Sequence, residues 1–255
     1  MNLFKTLVLL FSICCLVGCQ TTTVINLREQ PGQQIYYKQG NAILDSKQQD
    51  SQVQVLSLEP QVQNGSRITL ALNLINNGNS NLEFKPEGIS VVNQSSEQMK
   101  VFSHEELVKE EKTRQNWSLL AAAVSGAADA YSASQSGYST HTGSIQSTTN
   151  SNGRIYNTNG TYRGTTYDPN QARIASELAS QKSEKQIAGI VNQGASKIST
   201  LDSTIARRNT IFPGKSYTGV IVFDAPRIQA DEQRLYKVHI PIGGDTHVID
   251  LSQEL

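Results

Sequence analysis

No cysteine occurs after residue 19. Cys14, Cys15 and Cys19 are the only three in the chain, so nothing downstream can form a disulfide. A stable body there must be held by an ordinary hydrophobic core. A surplus of either charge is also missing: Lys+Arg and Asp+Glu are both 22. That balance leaves no basic footprint for nucleic acid and no polybasic patch for a membrane surface. The readable catalytic motifs are absent as well, with no GxSxG elbow, no HExxH and no phosphate loop. The four histidines do not fill the gap. His104 opens a helix and His141 lies in a polar stretch, neither with a neighbour at metal-binding spacing. His239 and His247 flank the last turn, and a two-residue turn at Gly243 and Gly244 would pair His239 with Val248 and His247 with Ile240. The two imidazoles would then point to opposite sides of the sheet, whereas another register would bring them together. No catalytic residue, metal ligand or cofactor site is expected.

The chain has one long apolar run, Leu7 to Val17, broken only by Ser12. A membrane span needs about 20 apolar residues, so this run is too short, and the polar "QTTT" follows at once. With Lys5 before it and Gly18 after it, the run has the three parts of a secretory signal. In detail "LVGC", Leu16 to Cys19, resembles the lipobox of bacterial lipoproteins. The resemblance covers the first twenty residues and implies removal of residues 1–18, a diacylglyceryl thioether on Cys19 and acylation of the new amino group. Gln20, not Asp, follows the lipid attachment site, which in the enterobacterial sorting pattern implies the outer membrane; the periplasmic face is the expected side. Processing would remove Cys14 and Cys15 and occupy Cys19, leaving no thiol for a Cys-dependent cell-wall hydrolase.

Residues 19–50, polar with Pro31 and Gly32, read as a tether from the lipidated Cys19. The alternative is an edge strand through Val24, Ile25 and Leu27. Over 51–102 the period is two: "QVQVLSLE" sets Val53 and Val55 on one face, and "RITLALNLI" sets Ile68, Leu70, Leu72 and Leu74 on one face. "NNGNSN" turns the chain, "LEF" is a short strand, and "GISVVNQSSEQMKVF" is two strands about a polar turn. At Ser103 the period switches. Ser103 and Glu106 have capping-box spacing, and Trp117, Leu120, Val124, Ala128 and Tyr131 then recur at helical spacing. The low-complexity segment 135–167, rich in Ser, Thr, Gly, Asn and Tyr, reads as a long mobile loop, because it has too few aliphatic side chains to offset its ordering entropy. A hairpin about Asn159 and Gly160 is the competing reading. A second helix should start at Asp168–Pro169 and run to about Arg207, with an apolar stripe through Ile187, Val191, Ile198 and Leu201 and a possible break at Gly189 or Gly194. Strands resume over 208–255 with "GVIVF" and a final hairpin.

The expected fold is therefore mainly β with an α insertion: an antiparallel sandwich, 51–102 and 208–255, interrupted by a two-helix arm, 103–207, in which the stripe on the second helix packs on Trp117, Leu120 and Val124. The stretches "ITLALNLINNGNSNLEF" and "NTIFPGKSYTGVIVF" resemble the immunoglobulin-like domains of secreted bacterial lipoproteins. That likeness covers roughly half of the chain and implies a binding or scaffolding module without catalytic residues. Two roles follow as expectations. The first is a non-enzymatic, lipid-anchored envelope protein that contacts another envelope component. The second is a structural subunit that self-assembles through the small residues Ala122, Gly126, Ala130 and Ser134, whose spacing permits close helix approach. The bland reading of that stripe is packing on the second helix, and a cell-wall enzyme is a distant third role. The tyrosines Tyr131, Tyr138, Tyr156, Tyr162 and Tyr167 suit adaptable contacts, although such residues are also common in inert loops.

Overall fold

The computed structural model describes residues 21–151 and 154–255. Cys14, Cys15 and Cys19, and with them the lipid attachment site, lie outside the described residues. The chain divides into two compact units, one comprising the residues up to Leu107 with Thr200–Leu255, the other Val108–Ser199.

The first unit is a sandwich of two antiparallel sheets. One sheet contains β1 (Thr22–Arg28), β5 (Gln61–Gln63), β7 (Leu82–Phe84), β12 (Asn209–Ile211), β14 (Arg234–Ile242) and β15 (Asp245–Glu254) in the order β12-β7-β14-β15-β1-β5, with β8 (Ser90–Asn93) on β14 and β9 (Gln98–Met99) on β8. The other runs β13-β6-β4-β3-β2, from β13 (Ser216–Phe223) through β6 (Ile68–Asn76), β4 (Ser51–Ser57) and β3 (Asn41–Lys47) to β2 (Gln33–Lys38). Alternation places the inner faces: β4 and β6 bury every second residue, including Val53, Val55, Ile68, Leu70, Leu72 and Leu74. These pack in one core with Phe84, Val91, Tyr236, Val238, Ile240, Ile249 and Leu251 of the other sheet. The strands on either side of the helical insertion complete each other: β6 pairs with β13 from Ile68↔Phe223 to Ile75↔Ser216, and β7 pairs with β12. Neither strand group could close its faces alone.

The edges of this sandwich are protected. β5 and β12 are three residues long, and β2 ends in Lys38. The outer edge of β13 is covered by the two segments that lead into and out of the insertion. Phe102 N donates to Val222 O at 2.9 Å, Asp224 N to Lys100 O at 2.9 Å and Ala206 N to Val220 O at 2.8 Å. Phe102, Leu107, Ile205 and Val222 form a small second core beneath them.

Residues 22–47 are not a tether. They form β1, β2 and β3, and Ile25 (3% exposed) and Leu44 enter the core. The strands are hard to read because only alternate positions need to be apolar. Their turn is readable: Gln39 and Gly40 both have positive φ, 53° and 82°, the two-residue geometry that matches strand twist, and they join Lys38 to Asn41.

The second unit holds most of α1 (His104–Gln135) and α2 (Pro169–Thr204), joined by β10 (Tyr138–Ser151) and β11 (Arg154–Tyr167). The expected capping box starts α1: Glu106 N donates to Ser103 Oγ at 3.2 Å, and Ser103 N donates to Glu106 Oε2 at 2.9 Å. Asp168 caps α2, its Oδ1 accepting from Asn170 N at 2.9 Å and Gln171 N at 3.3 Å. α2 continues through Gly189 and Gly194 without a break.

Segment 135–167 is not a loop, and its turn is not at Asn159 and Gly160. β10 and β11 make a ribbon in unbroken antiparallel register from Tyr138↔Tyr167 to Ser151↔Arg154, with Asn159 opposite Gln146 and Gly160 opposite Ile145. Thr, Tyr and Ile favour extended backbone even where they bury little, a preference that an argument from apolar content alone does not register.

Candidate functional site

Three places gather side chains that could act. The first is a buried polar chain between the two sheets of the sandwich. His247 on β15 places Nε2 2.8 Å from Ser51 Oγ on β4 and Nδ1 3.0 Å from Ser46 Oγ on β3. Ser51 Oγ is 2.5 Å from Asp245 Oδ2, and Gln33 Nε2 is 3.3 Å from Ser46 Oγ. One donor order satisfies all of them: Gln33 to Ser46, Ser46 to His247 Nδ1, His247 Nε2–H to Ser51, and Ser51 to Asp245. Burial pushes the imidazole below the ordinary histidine range, against the pull of Asp245 and Asp45, so the neutral ring is the resident form. Although Ser, His and Asp meet here, the serine proton is committed to the carboxylate and the second ring nitrogen to another serine. That is the reverse of an activated nucleophile, whose proton goes to the imidazole. His239 pairs with Val248 and His247 with Ile240, so the two rings stand on opposite faces as the Gly243–Gly244 turn requires.

The second place is a cleft of about 470 Å³ at the root of the insertion, floored by Ile89, Val101, Ile205 and Ile221 and bordered by His104, Arg207 and Arg208. His104 Nε2 and Arg207 Nη2 lie 2.8 and 2.6 Å from the same oxygen of Asp202, and hold that carboxyl below the usual range. Arg208 reaches Glu87 at 3.4 Å. The charges at the rim are thus already paired, leaving the apolar floor as its main recognition surface. Among the described residues, no three His, Cys, Asp or Glu side chains gather to hold a metal ion.

The third place is the surface of the second unit, and it differs most from expectation. The helices do not meet through Trp117, Leu120 and Val124. Their antiparallel seam runs through Gln115, Ala122, Gly126, Asp129 and Ala133 on α1. Ala122 and Ala133 are buried, Gln115 packs on Gly194, Gly126 faces Ser183 and Asp129 pairs with Lys182 at 2.8 Å. These positions follow a seven-residue repeat, so the seam leaves the four-residue stripe after Gly126, and Ala130 and Ser134 are exposed. Ala122 and Gly126 are used within the chain and are not available for joining copies.

Small residues in the seam send the large ones outward. Trp117 (67% exposed), Leu120, Val124 and Tyr131 (70% exposed) line α1 two residues out of phase with the seam, about 200° around the helix. Ile174, Leu178, Ile187 and Val191 are exposed on α2. Tyr138, Tyr162 and Tyr167 are exposed on the ribbon, with the Tyr138 and Tyr167 rings tilted at 45° and their centroids 4.8 Å apart across its base. The Tyr156 side chain is outside the described set. Helical periodicity finds the apolar stripe in the sequence, but it cannot tell a buried stripe from a presented one. The alanines and glycines flanking it carry that information. The sequence matches no family model, no curated protein and no solved structure.

Proposed function

We propose that this chain is a non-enzymatic, lipid-anchored envelope protein that binds or scaffolds another component of the bacterial envelope. In this reading Cys19 carries the anchor at the periplasmic face of the outer membrane, the sandwich is the platform, and the inserted unit makes the contact. The observation that carries it is the inverted helix pair, which packs alanine and glycine inside and presents Trp117, Leu120, Val124 and Tyr131 outside. Exposed apolar residues grouped on one face mark interaction sites, whereas scattered ones do not. The nearly neutral net charge favours a protein partner over nucleic acid.

Photo-cross-linking in the native envelope tests this, with the probe placed at Leu120 or Val124. Discrete protein adducts are expected, and they should disappear when Trp117 and Tyr131 are replaced by Ser. A probe that yields only lipid or solvent products would refute the reading.

A further inference from the structure

We infer that the inserted unit joins copies of this chain head to tail, the β11 edge of one ribbon pairing with the β10 edge of the next. This rests on the scaffolding reading above and names the partner as a second copy. Among the described residues β10 and β11 pair only with each other. Each strand therefore turns alternate N–H and C=O groups to an outer edge that carries no other strand among the described residues. A lone two-stranded ribbon is marginal in water, and stability comes with a third strand or a packed face. This ribbon has neither.

Its edges are also unguarded, unlike those of the sandwich in the same chain. Residues 138–167 contain no Pro, Lys, Asp or Glu, and the register runs without a bulge. Natural sheets that must stay unpaired use those devices. β10 lacks all of them, and β11 has only its arginines, which marks edges available for pairing.

A second copy satisfies what a foreign strand would not. A single added strand would cover one edge and expose another, whereas identical ribbons placed side by side cover every edge when the sheet closes. The internal antiparallel order then continues across each junction. Charge selects the pairing: Arg163 is on β11, and β10 carries no Lys, Arg, Asp or Glu. β11 against β11 would bring arginines together, while β11 against β10 does not. Closure of an antiparallel sheet takes about eight strands or more, hence about four copies. The helical faces supply further area. At roughly 150–250 Å² for each aromatic side chain, with Trp117 67% and Tyr131 70% exposed, the two would provide about a third of the roughly 800 Å² per partner found in stable interfaces.

The test uses the full lipidated chain in detergent. Single cysteines are placed on β10 (Thr140, Thr142 or Ser144) in one copy and on β11 (Thr161, Arg163 or Thr165) in a second, and the two are co-expressed and oxidised. Disulfide adducts are expected in some mixed pairs and lost in either single variant. Native mass measurement should give one closed oligomer. Adducts within single variants, with none in mixed pairs, would overturn the head-to-tail order. A monomeric wild type would overturn the assembly itself.

Thr142→Pro and Gly143→Pro control for folding, because neighbouring residues turn their N–H groups to opposite edges and only one of the two interrupts the ribbon's own ladder. Both should abolish the oligomer, and an oligomer that survives both overturns the inference. If the chain is monomeric yet probes at Leu120 still capture a different protein, the scaffolding reading stands and this inference alone fails. If neither copies nor other proteins are captured, both fail.

Discussion

His247 Nε2 lies 2.8 Å from Ser51 Oγ, a buried polar contact that ties β15 of one sheet to β4 of the other. Protonating His247 would give both ring nitrogens a proton and leave Ser46 facing a donor with its own hydrogen misdirected. The folded state holds the imidazole pKa below its unfolded value, so between the two values the unfolded chain binds more protons. The stabilisation is full above about pH 6.5, the unfolded value, and is lost as pH falls through the folded one. Urea unfolding of wild type and His247→Gln on both sides of about pH 6.5 should show a steeper acid loss for wild type. Equal slopes would mean that His247 does not titrate with folding.

Asn76 is wholly buried and serves three backbone groups. Its Nδ2 donates to Ser80 O at 2.7 Å and Ile211 O at 2.8 Å, and its Oδ1 accepts from Gly78 N at 2.9 Å. Asn76→Ala should cost about 1–3 kcal/mol, the usual penalty for stranding buried polar groups. Asn76→Asp should cost more, since it sets a carboxylate against two carbonyl oxygens. Chemical denaturation checks the order, and an Asp variant as stable as wild type would contradict it.

Gly219 in β13 faces the chain as it returns from α2. A Cβ there would stand 2.8 Å from Ala206 Cα and 2.9 Å from Ala206 Cβ, while one on Gly244 would meet nothing within 4 Å. Gly219→Ala should therefore destabilise the sandwich by about 1–3 kcal/mol, as overpacking does. Gly244→Ala should be nearly neutral. Thermal melts of the two variants provide the comparison.

The anchor reading predicts that Cys19→Ser leaves the protein unprocessed or releases it from membranes, because each buried acyl methylene contributes about 0.8 kcal/mol. Membrane fractionation with mass measurement of the N-terminus decides this. Normal processing with full membrane recovery would rule out a lipid on Cys19.

Much of the sandwich was legible in the sequence, because "RITLALNLI" and "QVQVL" state their inward faces by strict alternation. Ser103 with Glu106, and Asp168 with Pro169, likewise marked both helix starts through local hydrogen bonding. The strands at 22–47 and 138–167 were missed for a shared reason. Their pairing rests on backbone bonds and turn geometry with few aliphatic residues, so a reading weighted on apolar content sees a tether and a loop. The helix pairing failed differently. Large apolar residues were assigned to the seam by default, whereas Ala122, Gly126 and Gly194 occupy it and Trp117 and Val124 lie at the surface. The role of Asn76 was half visible, as part of the turn "NNGNSN". Its contact with Ile211 spans the whole insertion and could not be read locally.

β1 pairs with β15 along its length, from Val24↔Glu254 to Arg28↔Asp250. β1 therefore waits for a strand more than 200 residues further along the chain. Until about residue 254 has left the ribosome, β1 can find β5 but not the neighbour on its other side. Ordering so long a loop before any contact rewards it is slow. The sheet that contains β1 thus cannot close until β15 is present, and a chain cut short of β15 would leave β1 with β5 as its one neighbour.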